Sequence, residues 1–172
     1  QEDCGAWFGR WGVNYIYGTW SVLKGLGCLG ENPSQPYIRR AVQWLESCQN
    51  SDNGWGETCY SYTDPRLAGK GKSTPSQTAW ALLGLMAAGE VKSAAVQRGV
   101  HYLINRQDKQ GKWDEQLYTG TGFPSVFYLR YHGYGQFFPL WALGEYRRLR
   151  MEKMTIQEEV TLKYPVDLSK PA

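Results

Sequence analysis

The stretch RGVHYLINRQDKQGKW, Arg98 to Trp113, has a near-copy in RAVQWLESCQNSDNGW, Arg40 to Trp55. The two stretches share an arginine, a leucine, a glutamine and a closing tryptophan, and every shared position recurs 58 residues later. The same six-residue interval from glutamine to tryptophan separates Gln1 from Trp7. A fixed period of this length is typical of repeat proteins. Because the sequence begins inside the motif, we expect it to be a piece of a longer protein.

Each repeat predicts a pair of helices connected by a short turn, the motif tryptophan and a variable loop. Apolar residues at helical spacing predict helices over 36–49 and 93–107, each of which ends at a motif glutamine. Further helices are predicted after the variable loops, over 19–30, 74–89 and 137–150. One such pair cannot bury its apolar face alone, so successive pairs should stack in a solenoid or a ring. The glutamines and tryptophans of the motif are then interpreted as staples between repeats.

The helix after residue 73 has the clearest start signal. Thr74 is a suitable N-cap, Pro75 fits the first helical position, and Gln77 is placed to reach back to the cap in a capping box. The sequence after residue 151 is charged and ends with two prolines. It is therefore predicted to be a fraying tail.

Composition excludes several classes of protein. A chain of 172 residues with 8 Trp and 12 Tyr is predicted to form one folded domain or most of one. The net charge of +3 is mild and scattered, which argues against nucleic-acid binding. No uncharged run reaches membrane-spanning length. The four cysteines form no C-x-x-C pair and are interpreted as free thiols in a reducing compartment. Because phosphate-loop and zinc spacings are also missing, we expect no cofactor and no metal.

The aromatic stretch FPSVFYLRYHGY, Phe123 to Tyr134, is the best candidate for a functional site. If it is helical from Pro124, the helical repeat places Phe123, Phe127, Tyr131 and Tyr134 on one face. Such a stripe is typical of core packing. It can also stabilise carbocations, because aromatic faces attract cations without offering a base that would quench them.

The repeat pattern Arg98-Gly99-x-x-Tyr102-Leu103-x-x-x-Gln107-x-x-x-Gly111-x-Trp113 resembles the QW repeat of the squalene and oxidosqualene cyclases. The flanking stretches over 9–20, 69–82 and 118–148 resemble the C-terminal part of bacterial squalene–hopene cyclases. The resemblance implies an all-α fold, an α/α barrel of helix pairs, with residues 1–150 forming part of the barrel domain and 151–172 a tail. Asn53 departs from the glycine that is usual in the repeat, but asparagine tolerates the same left-handed conformation.

The resemblance also implies a function and a set of site residues. The implied activity is that of a triterpene cyclase, which converts squalene to hopene or a hopanoid through carbocations, with this piece as the aromatic cavity wall. The family's proton donor lies in an Asp-x-Asp-Asp motif, which these residues lack. Peripheral (monotopic) association with the cytoplasmic side of a bacterial membrane and a possible homodimer are further expectations. The implied catalytic residues are Phe123, Phe127 and Tyr131, and the implied substrate contacts are Trp11, Tyr17, Gly122 and Tyr134.

Two other classes of protein remain as alternatives. An α/α-barrel carbohydrate enzyme would stack tryptophans on sugars and use Glu57 or Asp114 as acids. A non-catalytic helical-repeat binding module would fit the period alone. Glu57, Asp114 and Glu115 follow the repeat tryptophans, a position that favours capping or pairing at a rim over acid–base chemistry.

Overall fold

A computed structural model describes the backbone of residues 1–163 and the side chains of residues 1–152. Five α-helices account for most of this part of the chain, together with one β-hairpin and two single-turn 3-10 helices in the long loop between α2 and α3. The helices are α1 (Tyr15–Cys28), α2 (Pro36–Ser47), α3 (Pro75–Ala87), α4 (Ala94–Arg106) and α5 (Tyr134–Lys163), and the hairpin strands are β1 (Gly120–Phe123) and β2 (Phe127–Leu129).

Helix α3 is the centre of the structure. It packs between α1 and α5 on one side and carries α2 and α4 on the other. All of its residues from Pro75 to Met86 are buried, as a helix that is apolar on every side requires. The result is two layers, an inner one of α1, α3 and α5 and an outer one of α2 and α4. This arrangement confirms the prediction of stacked helix pairs and an all-α fold.

The repeat tryptophans act as the predicted staples. The indole N–H of Trp55 donates to the carbonyl oxygen of Leu45 at 2.7 Å, and that of Trp113 donates to Leu103 at 2.8 Å. Both rings are buried, with exposed fractions of 0% and 4%. Each tryptophan therefore folds back over the helix that precedes it and satisfies a carbonyl near the C-terminus of that helix.

The motif glutamines close the turns that follow the outer helices. The side-chain amide of Gln49 donates to the carbonyls of Asn53 and Ala95, each at 3.0 Å, and so ties α2 to the first turn of α4. Gln107 donates in the same way to Gly111. Asn53 and Gly111 hold the equivalent turn position with φ of 71° and 79°. The expectation that asparagine replaces glycine there without disruption is confirmed.

The capping box of α3 differs from the prediction in one bond. The Thr74 hydroxyl accepts from the Gln77 backbone N–H at 3.2 Å, as expected. The Gln77 side chain also reaches back to the cap, where its Oε1 accepts from the Thr74 hydroxyl at 3.0 Å. The Thr74 backbone N–H donates instead to the carbonyl of Trp55. The Gln77 amide donates to the carbonyls of Val13 and Glu57, each at 3.0 Å. Because the carbonyl of Trp55 already accepts from the Thr74 N–H, the Gln77 amide is free to join α3 to the segments at Val13 and Glu57.

Two helix boundaries were predicted too narrowly. Helix α1 begins at Tyr15, four residues before the predicted start at residue 19. Helix α5 begins at Tyr134 and continues to Lys163, so the prediction of a non-helical chain from residue 152 is wrong over 152–163. Ion pairs from Arg148 to Glu145 and Glu152 support this extension at helical spacing. Residues 164–172 of the predicted tail lie outside the described residues. No helix within the described part of the chain combines the length and apolarity needed to cross a bilayer.

Candidate active site

The aromatic stretch that begins at Phe123 is a β-hairpin, and the prediction that it is helical is wrong. Strands β1 and β2 pair antiparallel, and Ser125 in the turn has a φ of 64°. Residue Gly12 pairs with Gly120 on the outer side of β1. The glycines of β1 disfavour a helix. The neighbouring segment at Gly12 offers backbone hydrogen-bond partners to an extended strand. Of the four aromatic residues, only Tyr134 lies on a helix, at the start of α5.

The hairpin nevertheless brings the predicted aromatic rings together, because glycines make room for them. Three rings lie directly against the backbone of a glycine. A Cβ added to any of these glycines would lie 2.2 to 2.6 Å from the covering ring, closer than real Cβ contacts. The pairs are Phe127 on Gly122, Tyr131 on Gly120, and Tyr17 on Gly12. Gly122 therefore contributes to the site by having no side chain, so that Phe127 can lie flat on the strand.

Two ring pairs add to these glycine contacts, one within the hairpin and one at the start of α5. Phe123 meets Phe127 edge-on with centroids 5.7 Å apart, and Tyr131 lies 4.7 Å from Tyr134. Phe123, Phe127 and Tyr131 are about half exposed, with exposed fractions of 54%, 44% and 43%. Tyr17 and Tyr134 are partly buried behind them. We call these five residues, Phe123, Phe127, Tyr131, Tyr134 and Tyr17, the aromatic wall.

The backbone of Trp11 lies beside the wall, but its ring makes no contact with the wall's rings. Its carbonyl accepts a hydrogen bond from the backbone N–H of Thr121 at 3.1 Å, so its backbone runs beside β1. Its ring is 55% exposed and lies under the guanidinium group of Arg10 at 5.2 Å. Among the described residues, no ring contact joins Trp11 to the wall. Its assignment as a substrate contact stays a prediction.

A second layer of aromatic side chains supports the wall from behind. Trp20 and Trp80 stack with centroids 6.1 Å apart and an interplanar angle of 9°. Phe138 lies edge-on to both at 5.4 Å, and Trp141 meets Trp20 at 5.9 Å. The sequence carries a signal for this layer, because Trp20, Trp80 and Trp141 recur near the starts of the inner helices.

The wall carries no ionised group at neutral pH. Burial raises the pKa of the Tyr17 phenol and of the Tyr134 phenol, so both hydroxyls are neutral. Within the described residues, neither hydroxyl takes part in a hydrogen bond. The wall therefore presents ring faces and edges, which attract a cation without offering a strong base or nucleophile.

The buried carboxylate of Glu57 and the partly buried carboxylate of Glu115 serve as helix caps. Glu57 accepts from the backbone N–H groups of Asn14, Tyr15 and Ile16, the shortest at 2.9 Å from Ile16. Glu115 accepts from the Ser76 backbone N–H at 2.8 Å at the equivalent point of α3. These caps satisfy N–H groups that have no partner inside the helix. The interpretation of both residues as caps is confirmed.

The same geometry weakens the carbohydrate-enzyme alternative. A mostly apolar cavity of about 510 Å³ opens beside the 3-10 turn at Cys59, with Tyr60, Tyr118 and Tyr128 among its lining residues. Among the described residues, Glu57 is the only acidic one that lines it, whereas glycoside hydrolysis needs two carboxyl groups across the bond that breaks. None of the seven predicted site residues lines this cavity.

Metal and disulfide chemistry find no support in the described residues. No three His, Cys, Asp or Glu side chains in that part of the chain lie close enough together to hold a metal ion. All four cysteines are free thiols. Burial raises the pKa of Cys59 to about 11, which keeps its thiol protonated at neutral pH.

Two layers of stapled helix pairs, with an aromatic site at the N-terminal ends of the inner helices, define a helical-repeat protein of the α/α type. Comparison with known families then gives the particular family. The model described as squalene-hopene cyclase C-terminal domain matches residues 1–148. The chain belongs to this family.

Curated relatives agree with this family. The squalene–hopene cyclase of Bradyrhizobium diazoefficiens is 63% identical over 154 residues, which cover 87% of this chain and 23% of that protein. The squalene–hopene cyclase of Zymomonas mobilis is 55% identical over 157 residues, covering 91% and 24%. Dammaradiene synthase of the fern Dryopteris crassirhizoma is 48% identical over 169 residues, covering 90% and 25%. The chain therefore spans about a quarter of the length of these relatives.

Proposed function

We propose that this chain forms the C-terminal wall of a triterpene cyclase cavity, in which squalene is cyclised to hopene or a hopanoid. The observation that carries the proposal is the aromatic wall, in which the rings of Phe127, Tyr131 and Tyr17 lie against glycine backbone and Tyr131 contacts Tyr134 at the start of α5. The relatives that bear the name squalene–hopene cyclase supply the substrate class.

The chemistry of cyclisation matches what the wall can do. A polyene cascade passes through a series of carbocations, each of which is destroyed by water or by any nearby base. A desolvated aromatic surface stabilises such a cation by about 2 kcal/mol per good contact and adds no lone pair strong enough to capture it. Preorganised rings also need no rearrangement as the charge moves.

The proposal assigns only part of the reaction to this chain. Its residues hold the growing cation and keep water away from it. The proton that starts the cascade is assigned to the Asp-x-Asp-Asp motif of the rest of a complete cyclase, since this string does not occur in the 172 residues. We also propose peripheral attachment to the cytoplasmic face of a bacterial membrane, because a substrate as apolar as squalene is stored there. A homodimer stays an expectation from the family resemblance.

A chimeric enzyme tests the proposed function. Residues 1–150 replace the matching segment of the Bradyrhizobium diazoefficiens cyclase, and the purified chimera is incubated with squalene in detergent. We expect pentacyclic product by gas chromatography with mass detection. The control is the same chimera with the host's Asp-x-Asp-Asp acid replaced by asparagine. A folded chimera that leaves squalene unchanged, beside an active host enzyme, would refute the proposal.

The capping role of Glu115 gives a prediction about stability. Glu115→Ala in the chimera is expected to lower the free energy of unfolding by about 1–2 kcal/mol, because the Ser76 N–H and hydroxyl lose their acceptor. Thermal inactivation should occur at a lower temperature, with the product ratio unchanged below it. Asp114→Ala, at an exposed neighbour, is the control. A folded Glu115→Ala enzyme without activity would contradict the capping role.

A further inference from the structure

Trp80 contacts wall residues that belong to two different helices. It lies on α3 and its exposed fraction is 0%. Its ring meets Tyr17 of α1 edge-on with centroids 5.0 Å apart, and meets Tyr134 of α5 edge-on at 5.9 Å. Trp20 stacks on it from behind. One indole ring therefore contacts both of the partly buried tyrosines of the wall.

Ring packing alone sets the positions of these two tyrosines. Within the described residues, the hydroxyls of Tyr17 and Tyr134 make no hydrogen bond that could fix them. Gly12 allows the Tyr17 ring to lie close to the backbone on one side. Trp80 bounds the same ring on another side. A change in the size or angle of the Trp80 ring would therefore move Tyr17 and Tyr134 together.

The indole nitrogen of Trp80 indicates that stability alone does not explain this residue. Its N–H and that of Trp20, which stacks on it, are both buried and have no hydrogen-bond partner among the described residues. The repeat tryptophans Trp55 and Trp113, in contrast, each donate to a helix carbonyl. A buried donor without a partner is destabilising. A buried polar group without a partner calls for an explanation other than stability.

We propose that Trp80 is a positioning residue for cyclisation, which sets the relative placement of the Tyr17 and Tyr134 rings in the aromatic wall. The inference rests on the proposed function. Trp80 lies behind the wall, so it acts on the cation through these two rings and not by contact. We expect a substitution of Trp80 to divert the cascade to other products, with little change in the affinity for squalene.

Trp80→Phe and Trp80→Tyr in the chimera test this role. Both keep an aromatic ring and remove the wide indole edge. Ring contacts of this kind contribute enough for about a fivefold fall in kcat. We expect that fall together with a larger share of incompletely cyclised products, and a change in KM of less than about twofold, which corresponds to a loss confined to the transition state.

Trp55→Phe is the matched control, because Trp55 is equally buried but belongs to the repeat staple. It should lower thermal stability and leave the product ratio unchanged. Folded Trp80 variants with the unsubstituted product ratio would overturn the proposal, and so would the same product shift in Trp55→Phe. Failure of both Trp80 variants to fold would make Trp80 a packing residue and overturn it as well. An unsubstituted chimera without product would instead refute the proposed function, and this inference with it.

Discussion

Phe127→Ala in the chimeric cyclase is expected to lower turnover about thirtyfold and to release incompletely cyclised products. The substitution removes one cation–π contact of roughly 2 kcal/mol in a desolvated site, and a barrier raised by that amount slows the affected step by this factor. The ring of Phe127 rests on Gly122 and against Phe123, so its loss also opens the wall at that point. Gas chromatography of the products measures both effects.

An exposed aromatic residue away from the wall provides the control for this experiment. Tyr60 is 73% exposed and lines the cavity beside Cys59, which shares no residue with the wall. Tyr60→Ala should leave rate and products unchanged. If Phe127→Ala keeps both the rate and the product profile of the unsubstituted chimera, Phe127 is a packing residue and its catalytic role is wrong.

The helical repeat could be predicted from the sequence because its signals are local. The interval from Gln107 to Trp113 is short, so the turn and the indole bond to Leu103 depend on residues within one loop and one helix. The conformation of Asn53 follows from the same locality. Glu57 and Glu115 were also predicted correctly as caps, but which helix each one caps depends on contacts between distant segments.

The hairpin could not be predicted in the same way, because the spacing of its aromatic residues fits both a helix and a hairpin. Phe123, Phe127 and Tyr131 are four residues apart, which matches a helix. In a hairpin the same interval places Phe123 opposite Phe127 across the turn. The glycines at 120 and 122 are the sequence feature that distinguishes the two structures. Glycine destabilises a helix, whereas a strand that is covered closely by aromatic rings requires it.

The second aromatic layer was missed for a different reason. In the sequence, Trp80 is related to Trp20 and Trp141 by a period of about 60 residues. The period predicts that these residues occupy equivalent places in successive units. It does not predict that the units bring them to one cluster, which depends on the packing of α3 between α1 and α5. Whether the three tryptophans meet therefore depends on tertiary contacts, which no local sequence pattern indicates.

The 172 residues by themselves are expected to bind no cofactor and to leave squalene uncyclised. Protonation of an alkene needs an acid much stronger than an ordinary carboxyl group, held in a built and desolvated site. The two most deeply placed glutamates of the described residues are unsuitable for this step. Burial raises the pKa of Glu57 and of Glu115, which makes each a weaker acid, and both already accept hydrogen bonds from helix starts.

The half-exposed wall adds a second expectation for the isolated chain. Phe123, Phe127 and Tyr131 present apolar surface that a cavity would need to enclose, so we expect association or aggregation in solution. The experiment incubates the purified chain with squalene in detergent, beside a preparation from cells that lack it, and measures polycyclic product. Turnover that appears only with the chain and is lost on changing Phe123 and Phe127 would show that a proton donor lies within these residues. The wall would then be a complete active site, and the division of the reaction between this chain and an Asp-x-Asp-Asp partner segment would be wrong.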